Sequence, residues 1–451
     1  MNLTVPQVVR DFTERIGIVR VWQKQIVPRL ITAILVSPVA ITFAAAARAV
    51  LFETRNRSSV QRFYNRKSFK SRDLHQRACH MVIEQEAQKE KRKKRRWFLI
   101  VDGCCTKRGG FTKIENARKY REVKKKKRGP TSKAHTFIFG LLITDTGKRI
   151  PLPRKTWYTK QYCKKYKRQF VSMTKLMELI IEHAPIPGNV SLVVLVDEFF
   201  ESQRLKQFCD SLSYTYICPV SSQRCFGDEQ GKRLFNKTLY EYGKSLSRED
   251  LTTIQLRPSK EETASYRRYA ESGMSKFKRV YRAASEVTNV AKLGQVRVVY
   301  SWKSPVCDPR RNDSRESYKV LLTNNSDLTL QQIIEYYELR WQIEVFFREI
   351  KSHIGLCDYR GVSFTAFERH VDMVLLAFLF LEYLRSQILV DKRFKGHERV
   401  ARAAHVTDML RFLSMLAAQD DLRFIEQSIK NEDAKTLLLT MIKKSIMKPA
   451  A

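Results

Sequence analysis

Two aspartates and one glutamate stand in sequence contexts that suit metal-dependent chemistry. Asp102 and Asp197 each end an apolar run, residues 97–102 and 191–197, that has the pattern of a buried strand. Glu344 lies within a segment of helical periodicity. If the two strands are neighbours in one sheet, the two aspartates converge. Each aspartate also has a simpler explanation, because strand-end turns and helix caps commonly use this residue type.

Three carboxylates of this kind suit two divalent metal ions. We expect Mg²⁺, with Mn²⁺ as a substitute, because magnesium prefers hard oxygen ligands and keeps open positions for water and phosphate. Two such ions activate a water or a 3′-hydroxyl and stabilise the leaving oxygen during attack at phosphorus. A zinc site is not expected, since none of the nine cysteines forms a Cys-x2-Cys pair.

The segment that carries Glu344 is predicted to form a single helix over residues 331–354. Thr329 and Gln332 match a capping box at its start, and Gly355 suits its end. On a helical wheel one face is apolar and is expected to pack in the core. This face contains Leu339, Ile343, Phe346, Phe347, Ile350 and Ile354.

A polar stripe lies beside this apolar face. Tyr337, Arg340, Glu344 and Lys351 fall within an arc of about 60° on the helical wheel. A carboxylate flanked by two cations suits a metal ion near phosphates, whereas the alternative is an amphipathic helix with chance polar residues. The spacing Tyr-x2-Arg-x3-Glu-x6-Lys resembles the YREK signature of DDE transposases of the insertion-sequence-four type. The resemblance implies that Arg340 and Lys351 contact DNA phosphate near the scissile end. It also implies that Tyr337 hydrogen-bonds phosphate or stacks.

The resemblance also implies a fold and an activity. The expected fold class is α/β, with an RNase H-like catalytic core in which Asp102, Asp197 and Glu344 are the catalytic metal ligands. The expected activity is that of a DNA transposase, which cuts its element ends and joins them to target DNA by two-metal phosphoryl transfer (cut-and-paste). The implied partners are double-stranded DNA, at the element ends and in the target, and a second copy in a synaptic homodimer. No membrane and no small-molecule substrate are expected.

The charge of the chain also points to DNA. Among 451 residues, 84 lysines and arginines against 46 aspartates and glutamates give a formal net charge of +38. So basic a protein needs a polyanionic partner, with nucleic acid the first candidate and an anionic membrane surface the second. The nine cysteines are an odd number and are scattered, which favours a reduced, cytoplasmic and nucleoid-associated protein.

Five regions are predicted from the patterns along the chain. Residues 1–90 are expected to form a helical DNA-binding domain. Residues 91–221 and 318–365 are expected to form the two parts of the RNase H-like core, the second with the signature helix. Residues 222–317 have many charges and alternating segments, and we expect a β-rich insertion such as the resembling family carries. Residues 366–451 are expected to be a helical C-terminal region.

Helical patterns outside the core have competing interpretations. Two short helices about the basic turn at residues 65–67 fit a helix-turn-helix-like DNA binder, or a support domain whose basic residues are merely solvated. Residues 30–47 carry no charge, yet the internal Pro38 and several alanines favour buried helices over a membrane span. Residues 371–381 are predicted to form a core helix, because charged residues bracket them.

Further features concern DNA contact. The basic run at residues 89–96 leads into the first predicted strand and is expected to hold phosphates. The lysine-rich residues 118–128 suggest a loop or hairpin that is either a DNA clamp or simply solvated. Trp341 and Phe347 are expected to pack in the core rather than to stack on bases, whereas Trp302 is a candidate for base stacking.

Two other functions are consistent with the sequence. One is a DDE-derived nuclease that cuts without mobilising its own element. The other is a non-catalytic DNA-binding remnant of a transposase, although the intact set of Asp102, Asp197 and Glu344 argues against it. A membrane-surface protein gives no account of the three acids.

Overall fold

The structure is a computed structural model. It describes residues 4–36, 46, 50, 57–66, 68–88, 95–108, 114–124, 127–256, 279–303, 317–359, 361–402, 405–432, 435–436 and 438–440. Of the predicted features, residues 89–94 of the basic run and most of residues 37–47 lie outside this description.

Thirteen described strands form one mixed sheet. They are β1 (Arg95–Arg108), β2 (Arg118–Lys124), β3 (Lys127–Ile143), β4 (Arg149–Pro151), β5 (Lys155–Trp157), β6 (Val190–Val196), β7 (Thr215–Pro219), β8 (Cys225–Gly227), β9 (Arg233–Thr238), β10 (Thr252–Leu256), β11 (Arg279–Val290), β12 (Gly294–Lys303) and β13 (Ser317–Thr323). The order is β2-β3-β1-β6-β7-β13-β12-β11-β8-β9, with β4 and β5 beside β3 and β10 beside β11.

Helices surround this sheet and form both ends of the described chain. They are α1 (Gln7–Arg15), α2 (Val21–Val36), α3 (Arg57–Asn65), α4 (Ser71–Gln88), α5 (Lys160–Lys165), α6 (Met173–Glu182), α7 (Gln203–Ser211), α8 (Leu239–Lys244), α9 (Leu330–Glu338), α10 (Trp341–Ser352), α11 (Phe364–Val390), α12 (Glu398–Ala401) and α13 (Val406–Ile429). The predicted α/β class is therefore confirmed, and described helices lie before β1 and after α10.

Helices cover both faces of the sheet at β3, and two neighbouring residues show this. The ring of Phe139 contacts the ring of Phe347 on α10, with centroids 5.5 Å apart. A Cβ at the next residue, Gly140, would lie 2.6 Å from Ile180 Cγ2 on α6. Because successive strand residues point to opposite faces, α10 and α6 lie on opposite sides of the sheet. Such double coverage explains why the central strands are apolar runs rather than alternating patterns.

The predicted β-rich insertion extends the same sheet. Antiparallel β13 pairs with β7, the last of the parallel strands, through Leu321 and Pro219. From β13 the sheet continues through β12, β11, β8 and β9. The described strands of residues 222–317 are thus hydrogen-bonded to the strands that carry the aspartates through β13 and β7. The predicted loop or hairpin at residues 118–128 includes the antiparallel pair of β2 and β3, whose connecting residues 125–126 lie outside the described part of the chain.

The signature segment is two helices, not the single helix that the sequence predicts. Its start is as expected, because Thr329 and Gln332 form a capping box. Four amides around the break then donate to the carbonyl oxygen three residues earlier instead of four, those of Leu339, Arg340, Gln342 and Ile343. This local tightening into 3₁₀-type bonds ends α9 and begins α10. No proline or glycine marks the position, so the hydrophobic pattern does not reveal it.

Helix α11 is the long apolar helix of the structure. It is the one described helix with the length and hydropathy to cross a membrane, but 72% of its most apolar window is buried inside the protein. It also buries charged residues such as Asp372 and Glu382. These observations are typical of a core helix, as predicted for residues 371–381.

A buried ion cluster joins the sheet to the two helices that follow the signature. Arg149 on β4 donates to Glu349 on α10 through Nη1 (2.8 Å) and to Glu382 on α11 through Nη2 (3.1 Å). All three side chains are less than one tenth exposed. One guanidinium therefore neutralises two carboxylates from different helices and fixes α10 against the sheet.

We expect Arg149→Met to destabilise the protein strongly. The variant keeps much of the side-chain volume but leaves two buried carboxylates facing each other without a cation. Removing one partner of a buried ion pair typically costs about 3–5 kcal/mol, measurable by chemical unfolding. Arg411→Met is the matched control, because that side chain is 83% exposed and makes only a 3.7 Å pair with Asp408. A similar loss in both variants would contradict a structural role for the cluster.

Candidate active site

The parallel pairing of β1 and β6 brings two aspartates to one place. The last paired residues are Val101 and Val196, so Asp102 and Asp197 are the next residues on the two neighbouring strands. Asp197 follows the end of β6 and begins a short 3₁₀ helix, but its side chain makes no capping hydrogen bond. The helix-cap explanation of Asp197 therefore does not account for its carboxylate.

Asp102 is not at the end of its strand, contrary to the sequence prediction. Strand β1 continues to Arg108, because β3 is long enough to pair with it throughout, and Asp102 lies opposite Phe139. Directly opposed residues of an antiparallel pair share a face. Asp102 therefore faces the side of the sheet on which Phe139 contacts α10. The apolar run ends at Asp102 because the parallel ladder to β6 ends there.

Glu344 is presented to this face by α10. The apolar face of α10 is buried as predicted, with Ile343, Phe346 and Ile350 fully enclosed. Phe346 and Phe347 pack on Phe139 at centroid distances of 6.3 and 5.5 Å. This packing places Glu344 on the side of α10 next to the aspartates.

The other two acids act electrostatically on Asp102. Burial, with smaller contributions from the negative charges of Asp197 and Glu344, raises the pKa of Asp102 to about 6 against two opposing contacts. The Gly103 amide donates to Asp102 Oδ1 at 2.6 Å, and the charge of Arg340 also favours ionisation. Asp197 and Glu344 therefore lie close enough to Asp102 to act on its charge, and a shared catalytic role for the three acids stays a prediction.

The polar stripe is divided between two neighbourhoods. Arg340 Nη2 donates to Glu344 Oε1 at 2.7 Å, and its guanidinium lies 5.9 Å from the ring centroid of the buried Tyr337. Lys351 instead neighbours Cys104, whose thiol pKa burial raises to about 12 while the lysine opposes that shift. Because Cys104 lies two residues beyond Asp102 on β1, Lys351 is at the border of the acidic site.

Two expectations for side chains around the site, those for Trp341 and Arg95, are wrong. Trp341 is 52% exposed, because the helix break places it at the first position of α10 rather than in a continuous apolar face. Trp302 is a half-buried sheet residue that packs on Tyr318 across the strands, with centroids 4.6 Å apart, and its stacking on a base stays a prediction. Arg95 is buried and paired with Asp145 at 2.8 Å, so it does not hold phosphate as its place in the basic run suggested.

Two residues near the acids were missed by the sequence analysis. Lys319 on β13 holds its Nζ 5.5 Å from the ring centroid of Tyr337. Partial burial and the charge of Arg340 lower its pKa, whereas the charge of Asp197 acts in the opposite direction. Phe199, two residues after Asp197, is 67% exposed. Lys319 has no sequence signal, because only the order of the strands in the sheet brings β13 near the signature helix. Phe199 has no sequence signal either.

The acids suit a hard divalent cation chemically. Carboxylate oxygens are the ligands that Mg²⁺ prefers. A cation would relieve both the burial of the Asp102 charge and its repulsion by Asp197 and Glu344, which together raise the pKa of Asp102. In the described part of the chain, however, no three histidine, cysteine, aspartate or glutamate side chains are already arranged as a metal site. Glu344 is instead paired with Arg340.

The fold and the converging acids define an α/β protein with an acidic candidate active site on its central strands. A family model described as a transposase DDE domain matches residues 93–380, which is well over half of the chain and contains all three acids. The chain therefore belongs to the family of DDE transposases, whose enzymes recombine DNA. No curated protein matches the chain.

We expect Asp102→Asn to stabilise the protein when divalent ions are removed. The folded-state pKa near 6 lies above the ordinary 3.8, so the native state holds the proton more tightly than the unfolded state. Stability therefore falls as pH rises from about 3.8 to 6, and the full cost, up to about 3 kcal/mol, is present above pH 6. The variant should gain about 1–3 kcal/mol at pH 8 and progressively less toward pH 4.5.

Urea unfolding across this pH range, with a chelator present, measures the difference. Glu229→Gln is the control, because it removes an exposed carboxylate remote from the site and should leave stability nearly unchanged. A gain for Asp102→Asn that did not vary with pH would show that charge crowding is not its cause.

Proposed function

We propose that this chain is a DNA transposase of the insertion-sequence-four type, which cuts element ends and joins them to target DNA. One observation carries the proposal: the parallel register of β1 and β6 places Asp102 and Asp197 at the same level on neighbouring strands, within a chain that belongs to the DDE transposase family. The Tyr337, Arg340, Glu344 and Lys351 spacing supports the finer assignment.

An RNase H-like core is part of this proposal. Its support is the placement of the first two acids on adjacent parallel strands, β1 and β6, with the third acid on a helix packed over them. The strands of residues 222–317 fit the β-rich insertion between the second aspartate and the glutamate. In the same proposal residues 1–90 bind DNA, and residues 366–451 are a helical C-terminal region.

Asp102, Asp197 and Glu344 would hold two Mg²⁺ ions, or Mn²⁺ in their place. Such ions, when bound, activate the attacking hydroxyl and stabilise the leaving oxygen at phosphorus. The chain itself fixes the backbone of Asp102 relative to that of Asp197, because the strands before both residues are hydrogen-bonded to each other. The two aspartates therefore do not need to move toward each other when ions bind. The Gly103 amide orients the Asp102 carboxylate through its 2.6 Å bond to Oδ1.

Arg340 is proposed to bind the phosphate next to the scissile bond. Its planar guanidinium suits two parallel hydrogen bonds to phosphate oxygens. Because Nη2 is engaged with Glu344 Oε1 at 2.7 Å, the arginine would exchange this carboxylate for phosphate when DNA binds. Tyr337 supports the guanidinium from 5.9 Å, and Lys351 would provide a point charge farther along the strand.

The partners and setting complete the proposal. Double-stranded DNA at the element ends and in the target is the substrate, and two copies would act together in a synaptic homodimer. The net charge of +38 suits a protein held at the nucleoid in the cytoplasm, with strongly salt-dependent binding.

A non-catalytic DNA-binding remnant is the second candidate. The Arg340–Glu344 pair favours it, because the pair leaves the acids without a ready metal arrangement among the described residues. In that case the charges would be structural, and the protein would bind DNA without cutting it.

Glu344→Gln should abolish cleavage while leaving DNA binding intact. The substrate is DNA that carries the ends flanking the gene, incubated with Mg²⁺, and the readout is nicked and rejoined product on a denaturing gel. We expect a loss of roughly a thousandfold or more, as when a member of a catalytic set is removed. Glu335→Gln, an exposed residue on α9, should cut like the wild type.

The outcome separates the candidates. Cutting by the wild type and by Glu335→Gln, but not by Glu344→Gln, supports the transposase. Rejoining of the cut ends distinguishes a transposase from a nuclease. Binding without cutting by the wild type, with Mg²⁺ or Mn²⁺, would establish the remnant.

Mg²⁺ should also raise the thermal stability of the wild type in the absence of DNA. A ligand that binds only the folded state stabilises it by about 2.7 kcal/mol at one hundred times its dissociation constant. Glu344→Gln and Asp102→Asn should lose most of this Mg²⁺-dependent shift, and a chelator should reverse it in the wild type. Equal shifts in the wild type and both variants would exclude these acids as ligands.

A further inference from the structure

A second basic surface lies at the sheet edge beside β5, away from the three acids. Its aromatic rings and one guanidinium form a set that we call the tyrosine platform: Tyr158, Tyr162, Tyr166, Arg168 and Phe170. The set includes residues of α5 and of the chain on both sides of it. The proposed cleavage reaction uses none of these residues.

The three tyrosines form a stack that begins in the core. Phe364, the first residue of α11, is buried and meets the rings of Tyr158 and Tyr162 edge-on, at 6.1 and 5.7 Å. Tyr158 and Tyr162 are stacked at 5.4 Å with only 11° between their planes. Tyr166 follows at 4.5 Å from Tyr162. The outermost ring is therefore held in place by rings that are anchored in the protein.

The stack is also braced by the guanidinium of the platform. Arg168 lies 4.9 Å from the ring centroid of Tyr158 and 5.8 Å from that of Tyr162. Its backbone amide donates to the carbonyl oxygen of the buried Cys163 at 2.9 Å. Because Lys167 adopts a positive φ of 50°, the chain turns back here and brings Arg168 over the rings.

The outer rings are exposed and each has an ammonium group beside it. Tyr166 is 41% exposed and Phe170 38%. Lys165 Nζ lies 4.7 Å from the Tyr166 centroid, and Lys160 Nζ lies 5.5 Å from the Phe170 centroid. Two acids lie nearby. Glu115 accepts a hydrogen bond from the Tyr166 hydroxyl and lies 3.7 Å from Lys165, and Glu368 accepts one from the Tyr158 hydroxyl at the inner end of the stack, at 3.3 Å. Exposed aromatic faces combined with cations are the pattern of a surface for unpaired nucleic acid.

The surrounding segment has a strong excess of positive charge. Residues 160–170 contain no acidic residue and five cations, namely Lys160, Lys164, Lys165, Lys167 and Arg168. All seven residues from Lys164 to Phe170 are exposed. A duplex hides its base faces in its own stack, so cations alone would suffice to hold it. Aromatic faces add affinity only where bases are unpaired.

We propose that the tyrosine platform binds an unpaired DNA strand, with bases stacked on Tyr166 and Phe170 and phosphates held by the surrounding lysines. The proposal rests on the proposed function, because DNA cleavage and joining provide a reason for strands to separate near the acids.

The sheet places the platform within reach of the acids. Trp157, the last residue of β5, pairs with Thr136 of β3, and Thr136 pairs with Cys105 of β1. Two strand spacings, about 10 Å, therefore separate Trp157 from Cys105, and Asp102 lies three residues, about another 10 Å, along β1 from Cys105. A single DNA strand that leaves the acids along this edge would reach the exposed rings.

Binding of a fluorescein-labelled thymidine oligonucleotide to the full chain, with a chelator and no divalent ion, tests the proposal. A hairpin duplex of equal length is the comparison ligand. We expect Tyr166→Ala to weaken single-strand binding by about fivefold or more, the loss of one stacked base, and duplex binding by less than twofold. Tyr166→Phe should bind like the wild type, because it keeps the ring and loses only the hydroxyl, which contacts Glu115 and Lys165.

A matched pair of charge variants tests the cations. Lys165→Gln should weaken single-strand binding and reduce its salt dependence. Arg411→Gln removes the same charge from an exposed position on α13 and should have a smaller effect. A shared thermal midpoint for wild type, Tyr166→Ala and Tyr166→Phe excludes unfolding as the cause. If Tyr166→Ala is less stable, the crosslink below decides, because it uses the wild type.

Photocrosslinking locates the strand directly. An oligonucleotide with 5-iodouracil should crosslink the wild type at Tyr166 or Phe170, identified by peptide mass mapping. Crosslinks only elsewhere would overturn the proposal. Equal losses of duplex and single-strand binding in Tyr166→Ala, or a loss in Tyr166→Phe as large as in Tyr166→Ala, would also overturn it. These assays need no cleavage. Single-strand binding by the platform can therefore be excluded while transposase activity is confirmed, and transposase activity can be excluded while the platform is confirmed.

Discussion

The parallel register between β1 and β6 is the constraint on which the candidate site depends. Because Val101 pairs with Val196, the residues that follow on both strands leave the ladder at the same level. A shift by one residue would turn one carboxylate to the other face of the sheet. The apolar residues before each aspartate are fixed by burial between helices on two faces, so core packing also sets the distance between the acids. The relative position of the two aspartates thus follows from how apolar side chains pack on the two faces of the sheet.

Glu344 depends on a different kind of restraint. Its helix has to be held at a particular height over β1, and aromatic packing on Phe139 allows some sliding. The buried contacts of Arg149 with Glu349 and Glu382 have directional hydrogen bonds, so they define that height more sharply than apolar contacts do. A buried ion pair contributes little net stability compared with apolar side chains, which makes positional definition the stronger explanation for its presence here.

The sequence predicts those features that depend on interactions between residues close together in the chain. The capping box at Thr329, the apolar face of α10 and the strands before Asp102 and Asp197 follow from hydrogen bonding and periodicity. The sequence could not reveal the helix break near Arg340, because no residue there is a helix breaker, and Trp341 was misplaced as a result. Arg95 was misread because charge alone does not show a buried partner, and the position of Lys319 depends on the order of distant strands. The tyrosine stack was missed for the same reason, since Phe364 comes from a remote helix.

The Arg340–Glu344 pair has a thermodynamic consequence for the proposed reaction. One side chain is proposed to leave its partner in order to hold phosphate, and the other must be released in order to hold a cation. The first ligand to bind, metal ion or DNA, loses part of its binding free energy in separating Arg340 from Glu344. The second ligand then binds without that loss. Metal and DNA would therefore bind with positive cooperativity, and each would strengthen the other's affinity by the same factor. The free protein would then bind Mg²⁺ more weakly than the complex with DNA does.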